Sequence, residues 1–115
     1  MAKYEPKLNL LFAALGDATR RAILARLALG PASVSELAAP HDMALPSFLA
    51  HLRKLEDAGL VVTSKTGRIR TCALLPDAFA PARGWLEEQR DAWEGRLDRF
   101  DDYAINLMKE RRHGS

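Results

Sequence analysis

Apolar positions along the chain change their spacing twice, and each change marks an element. Leu8, Leu11, Phe12 and Leu15 recur at helical spacing and stop at Gly16, which predicts a first helix closed by glycine. Asp17 can cap a second helix, whose stripe of Ile23, Leu24, Leu27 and Ala28 ends at Gly30-Pro31, with Arg20 and Arg21 in its first turn. Ser33-Val34-Ser35-Glu36 is a capping-box pattern, opening a short third helix that runs to Ala39 and is stopped by Pro40. Pro46 suits the first turn of a further helix, since its missing N–H costs nothing there. Phe48, Leu52 and Leu55 mark the buried stripe of that helix as far as Gly59.

After Gly59 the period falls to two. Leu60 to Thr63 and Ile69 to Leu75 are β-favouring, and Lys65-Thr66-Gly67-Arg68 supplies a glycine-containing turn, so a two-stranded ribbon is expected. From Ala82 the pattern is helical again and free of proline, with Leu86, Trp93, Phe100 and Leu107 at steps of seven and Leu97 and Ala104 between them. About 28 residues at 1.5 Å each make roughly 42 Å, longer than the ~33 Å diameter of a compact domain of this size. Part of that stripe needs a cover, and the same helix of a second copy, with the first helix alongside, is the expected one. The dimer interface is therefore placed on Leu8, Leu11, Leu86, Trp93, Leu97, Phe100 and Leu107. The fold class that follows is mainly α with a small β-ribbon: a core over residues 8–81 and a C-terminal dimerisation helix over residues 82–110. That order of elements is a winged helix-turn-helix.

Composition supports one folded domain, because 48% of the 115 residues are apolar and 28% charged. A net charge of +2 decides little by itself. Its distribution decides more, since from Ala44 to Cys72 the bases Arg53, Lys54, Lys65, Arg68 and Arg70 face only Glu56 and Asp57. Phosphates occur along duplex DNA at about one charge per 1.7 Å, so bases on a projecting ribbon gain affinity by releasing counterions without reading a base. Double-stranded DNA is the partner this pattern points to. Cys72 is the only cysteine, which rules out an intrachain disulfide and fits a reducing compartment, the cytoplasm. The start of the chain shows no cleavage site and no stretch approaches the ~20 apolar residues of a membrane span, so no membrane association is expected.

The sequence also resembles the ArsR/SmtB-type bacterial repressors. The resemblance lies in Leu11 to Leu24, reading LFAALGDATRRAIL, then Val34-Ser35-Glu36-Leu37-Ala38, then His51 to Val61, reading HLRKLEDAGLV, then Gly67-Arg68. It runs from about Leu8 to Leu86. The tail, with Trp85 to Arg90 and Trp93 to Arg99, is similar to the branch that carries no metal site. The resemblance implies a homodimeric DNA-binding repressor, often released by a metal, a redox event or a small molecule. Carried over by position, it puts Ser47, Ala50 and His51 on the exposed face of the recognition helix, with Lys54 a further candidate, and Lys65, Arg68 and Arg70 on the wing. Ser35 would meet a phosphate at a helix start, and Arg20 would contact the backbone. Where many relatives carry polar readers, this chain has Leu45, Leu49 and Ala50. Either readout leans on His51, Ser47 and DNA shape, or Leu49 packs inward, which its neighbours Phe48 and Leu52 favour.

Family metal sensors place cysteines on the helix that here begins Ser33-Val34-Ser35, or carboxylates and histidines on the last helix. Here the acids of that helix are interleaved with Arg90, Arg96 and Arg99, which repel a cation, so neither a metal nor a cofactor is expected. His41 beside Asp42 reads as loop. Cys72 lacks a second cysteine and reads as a small buried residue rather than a thiol sensor. We identify no inducer pocket in the sequence. His41, His51 and Cys72 form no nucleophile, base and orienter set, so the chain is not read as an enzyme. The alternative reading is a winged-helix dimer that binds a protein through Trp85, Trp93 and the apolar residues Leu45 and Leu49.

Overall fold

A computed structural model describes residues 5–113, with side chains over residues 6–110. The elements in order are α1 (Glu5–Leu15), α2 (Ala18–Leu27), β1 (Ala32–Ser33), α3 (Val34–Ala38), α4 (Leu45–Asp57), β2 (Val61–Thr66), β3 (Ile69–Leu74) and α5 (Ala80–His113). They fall into two compact units, divided after Ala82. No described helix is long and apolar enough to cross a membrane.

Local chemistry accounts for most boundaries. The Asp17 carboxylate accepts from the Arg20 N–H at 3.0 Å and caps α2. The capping box at α3 closes in both directions, with the Glu36 N–H donating to Ser33 Oγ at 3.1 Å and the Ser33 N–H donating to Glu36 Oε1 at 3.4 Å. At the end of α4, Gly59 takes φ +74°, and the Leu60 N–H reaches the Leu55 carbonyl at 3.0 Å. That glycine-dependent turn brings Leu55 and Leu60, both fully buried, together at the start of the ribbon. Gly67, at φ +62°, makes the ribbon turn that joins Thr66 to Ile69.

The first unit encloses one core. Its centre is Ile23, Phe48, Leu52, Leu55, Leu60 and Cys72, drawn from α2, α4 and the sheet. Leu49 packs against this core as a partly buried residue, so of the two alternatives for it the inward one is observed. The sheet has three strands in the order β1-β3-β2, all antiparallel, where two were expected. The added strand, Ala32–Ser33, pairs with Cys72 and Thr71 and is too short for alternation to reveal it. The third helix ends at Ala38, one residue early, and the last begins at Ala80 rather than Ala82.

Leu11 requires a correction. It is 2% exposed in the core of this unit and so cannot form part of a dimer interface. Its spacing is equally that of a residue packing inward; the apolar face of α1 is spent on the domain's own core. Leu8 is half-buried, and Leu10, placed on no interface by the periodicity, is 50% exposed.

The second unit is a single helix, α5. All five of its expected interface residues are exposed, from Leu107 at 38% to Phe100 at 65%.

Asp17 gives this unit a measurable acid response. The N–H bond from Arg20, aided by the nearby His51 and Arg20, holds its carboxyl below the ordinary value of 3.8 against the opposing effect of burial. A depressed folded value means that the charge stabilises above pH 3.8 and that this stability fades as pH falls through the folded value. Asparagine caps a helix about as well but carries no charge. Asp17→Asn is therefore expected to unfold at lower urea than the native chain at neutral pH, with the gap closing below pH 3.8. A gap independent of pH would assign the difference to packing.

Candidate nucleic-acid interface

The helix α4 divides cleanly. Phe48, Leu52 and Leu55 face the core, while Leu45, Pro46, Ser47, Ala50, Arg53 and Lys54 are exposed. Ser47, Ala50 and Lys54 stand at steps of three and four, which puts them on one outward face, and Arg53 adjoins it three residues beyond Ala50. No acidic residue lies in the first turn of α4, and among the described residues neither Arg53 nor Lys54 forms a salt bridge. Arg53 was absent from the sequence-derived site. Its spacing from Ala50 and its charge were the available signal, masked by the assumption that only resemblance-matched positions point outward.

His51 is positioned by α2. Its Nδ1 lies 3.0 Å from Arg20 Nη1 and 3.6 Å from Asp17 Oδ2, and its side chain is 22% exposed. Arg20 itself is a correction to the sequence reading. At 8% exposure, its Nε donates to the Ala14 carbonyl at 2.8 Å and its Nη2 to the Ala13 carbonyl at 3.0 Å. The guanidinium thus satisfies the open carbonyls at the end of α1 and is not available to a phosphate. Arg21 does the same from outside, donating to the Leu15 carbonyl at 2.7 Å.

The wing carries its charge in two ways. Lys65 sits directly opposite Arg70 in the β2–β3 register, a like-charge pair that disfavours the isolated ribbon. Arg70 is drawn back toward the body, 3.8 Å from Glu56 Oε1 on α4 and 3.4 Å from Thr63 Oγ1. Lys65 and Arg68 are exposed and form no salt bridge among the described residues. Arg70 therefore acts as a tether between wing and α4, while Lys65 and Arg68 are the free cations at the tip.

Ser35 is exposed at the start of α3, beside Glu36, whose carboxylate lies 3.7 Å from Arg26. His41 packs its ring on Phe48, with centroids 5.6 Å apart. Cys72 is fully buried, and burial pushes its thiol upward against the pull of Arg70, keeping it protonated and unreactive. Among the described residues, no group of three or more histidine, cysteine, aspartate or glutamate side chains converges as a metal site would require.

Residues 15–64 match the family model for a helix-turn-helix domain. Over 74 residues the chain is 43% identical to the HTH-type transcriptional regulator Rv2034 of Mycobacterium tuberculosis, covering 64% of this chain and 69% of that protein. The crystal structure of an ArsR family transcriptional regulator, RHA00566, is 55% identical, with a TM-score of 0.77 over 82% of this chain and 97% of the other. An ArsR-like transcriptional regulator from Rhodococcus sp. RHA1 is 30% identical, with a TM-score of 0.77 over 90% of this chain and 97% of its own.

Proposed function

The chain belongs to the ArsR family of winged helix-turn-helix transcriptional regulators, and on that premise we propose that it is a homodimeric repressor that reads duplex DNA with α4. Ser47 and His51 supply polar contacts to base edges, and Ala50 a methyl-sized apolar contact suited to thymine. Arg53, Lys54, Lys65 and Arg68 hold phosphates, with Ser35 at the edge of the footprint, and Arg70 and Arg20 shape the surface from behind. The α5 stripe joins the two copies, so the operator is pseudo-palindromic with half-sites about one helical turn, or a multiple, apart. Ser33 and Ser35 stand where metal-sensing relatives carry cysteines, which supports regulation without metal at that position, in the cytoplasm where the DNA lies.

The observation that carries this reading is the outward face of α4 with the wing tip, where Arg53, Lys54, Lys65 and Arg68 lie exposed without ion-pair partners among the described residues. The like-charge pair Lys65 and Arg70 adds to it, because a polyanion relieves a repulsion the free protein bears. Binding to the DNA upstream of the chain's own gene is expected to weaken steeply with salt. In Lys65→Ala/Arg68→Ala the logarithmic salt slope should fall by about 2, one for each lost phosphate contact. An unchanged slope would remove the wing from the interface. Leu45, 57% exposed at the start of α4, favours the protein-binding alternative; absence of any salt-dependent duplex binding would favour it over DNA.

A further inference from the structure

The contact between Arg20 and His51 fixes more than a position. A guanidinium has only donors, so the 3.0 Å approach of Arg20 Nη1 makes His51 Nδ1 the acceptor. A ring that accepts at Nδ1 carries its proton on Nε2. Asp17 Oδ2, 3.6 Å from the same Nδ1, would favour the opposite arrangement, but that separation is beyond a hydrogen bond while the arginine contact is well within one. Arg20 is held firmly enough to impose the choice, being buried and anchored by the Ala13 and Ala14 carbonyls.

The other nitrogen faces outward. Nε2 has no hydrogen-bond partner in the protein, and no buried side-chain nitrogen or oxygen among the described residues lacks one. Nε2 therefore reaches solvent from α4, one residue from Ala50. We infer that Arg20 holds His51 as a neutral ring protonated at Nε2, making it a donor-only reader of a base-edge acceptor in the major groove: purine N7, guanine O6 or thymine O4. Such a ring cannot accept from cytosine N4 or adenine N6, so its specificity is one-sided. Arg20 is the positioning residue and His51 the contacting one. The inference rests on the DNA-binding reading of α4.

The test has a protein arm and a DNA arm. Long-range proton–nitrogen correlation spectra of the labelled full chain at neutral pH should show His51 Nδ1 unprotonated and Nε2 protonated. Arg20→Met should abolish that preference in favour of a tautomer mixture; should that variant fail to fold, the native spectrum decides alone. A proton found on Nδ1 overturns the inference. In the DNA arm, the native chain and His51→Ala select from a random duplex pool, which identifies the base pair whose preference His51 sets. A 7-deazapurine at that pair should weaken native binding about fivefold, the value of one hydrogen bond, and leave His51→Ala unaffected. Identical selected motifs, or a loss spread evenly over all sequences as a phosphate contact would give, overturn the base-reading role. If the native chain selects no duplex, the DNA-binding reading falls and the donor loses its target, while the spectra still decide the Arg20–His51 relation.

Discussion

Trp93→Ala/Phe100→Ala is expected to turn a stable dimer into a monomer at micromolar concentration. The unit that carries these residues is one helix, so nothing within it can bury the stripe of Leu86, Trp93, Leu97, Phe100 and Leu107. Trp93 is 57% and Phe100 65% exposed, values that a solitary aromatic tolerates but that a continuous row of them signals as a contact surface. Aromatic anchors at the centre of an interface commonly contribute about 2 kcal/mol or more each on truncation. Two of them amount to roughly a thousandfold in the dimer dissociation constant. Sedimentation across a dilution series measures this directly, and an unchanged mass at every concentration would exclude the α5 stripe as the interface. The same variant should retain its melting behaviour in the first unit and lose binding to a two-half-site operator, because each monomer would keep its reading helix but not its partner.

The second large effect is on stability. Phe48→Ala is expected to destabilise the first unit by about 3–5 kcal/mol, since a phenylalanine 1% exposed leaves a cavity that its neighbours fill only in part. Phe48 is the inner face of the helix whose outer face carries Ser47 and Ala50, and the His41 ring rests on it. DNA binding should fail along with folding. Ser47→Ala, at the adjacent exposed position, should shift stability by less than about 0.5 kcal/mol while weakening DNA binding. Urea denaturation of both variants separates the two roles. A Phe48→Ala chain as stable as the native one would mean that α4 is not seated as described.

How far each residue's role could be read in advance depended on where its partners lie. The caps by Asp17 and Ser33, the glycine turns at Gly59 and Gly67, and the inward stripe of α4 all involve groups within one or two turns of chain, and all were legible. Arg53 was legible in principle, as a cation three residues from Ala50, but resemblance directed attention to other positions. Arg20, Leu11 and Arg70 were legible only as types: an arginine near a helix start, a leucine in a stripe, an arginine on a wing.

The sequence by itself therefore determined the order and kind of the elements, the ends of most helices, the winged helix-turn-helix plan and the basic character of its middle. Tertiary structure alone decided which way ambiguous residues face. Arg20 meets His51 across 31 positions of chain, Leu11 turns into the core, Arg70 is drawn to Glu56, and Ala32–Ser33 joins the sheet beside Cys72. The reason is that caps, turns and stripes are set by short-range hydrogen bonds and periodicity, which the sequence displays. Whether an arginine binds a phosphate or a carbonyl depends on what folding brings beside it, and that proximity is a property of the packed chain.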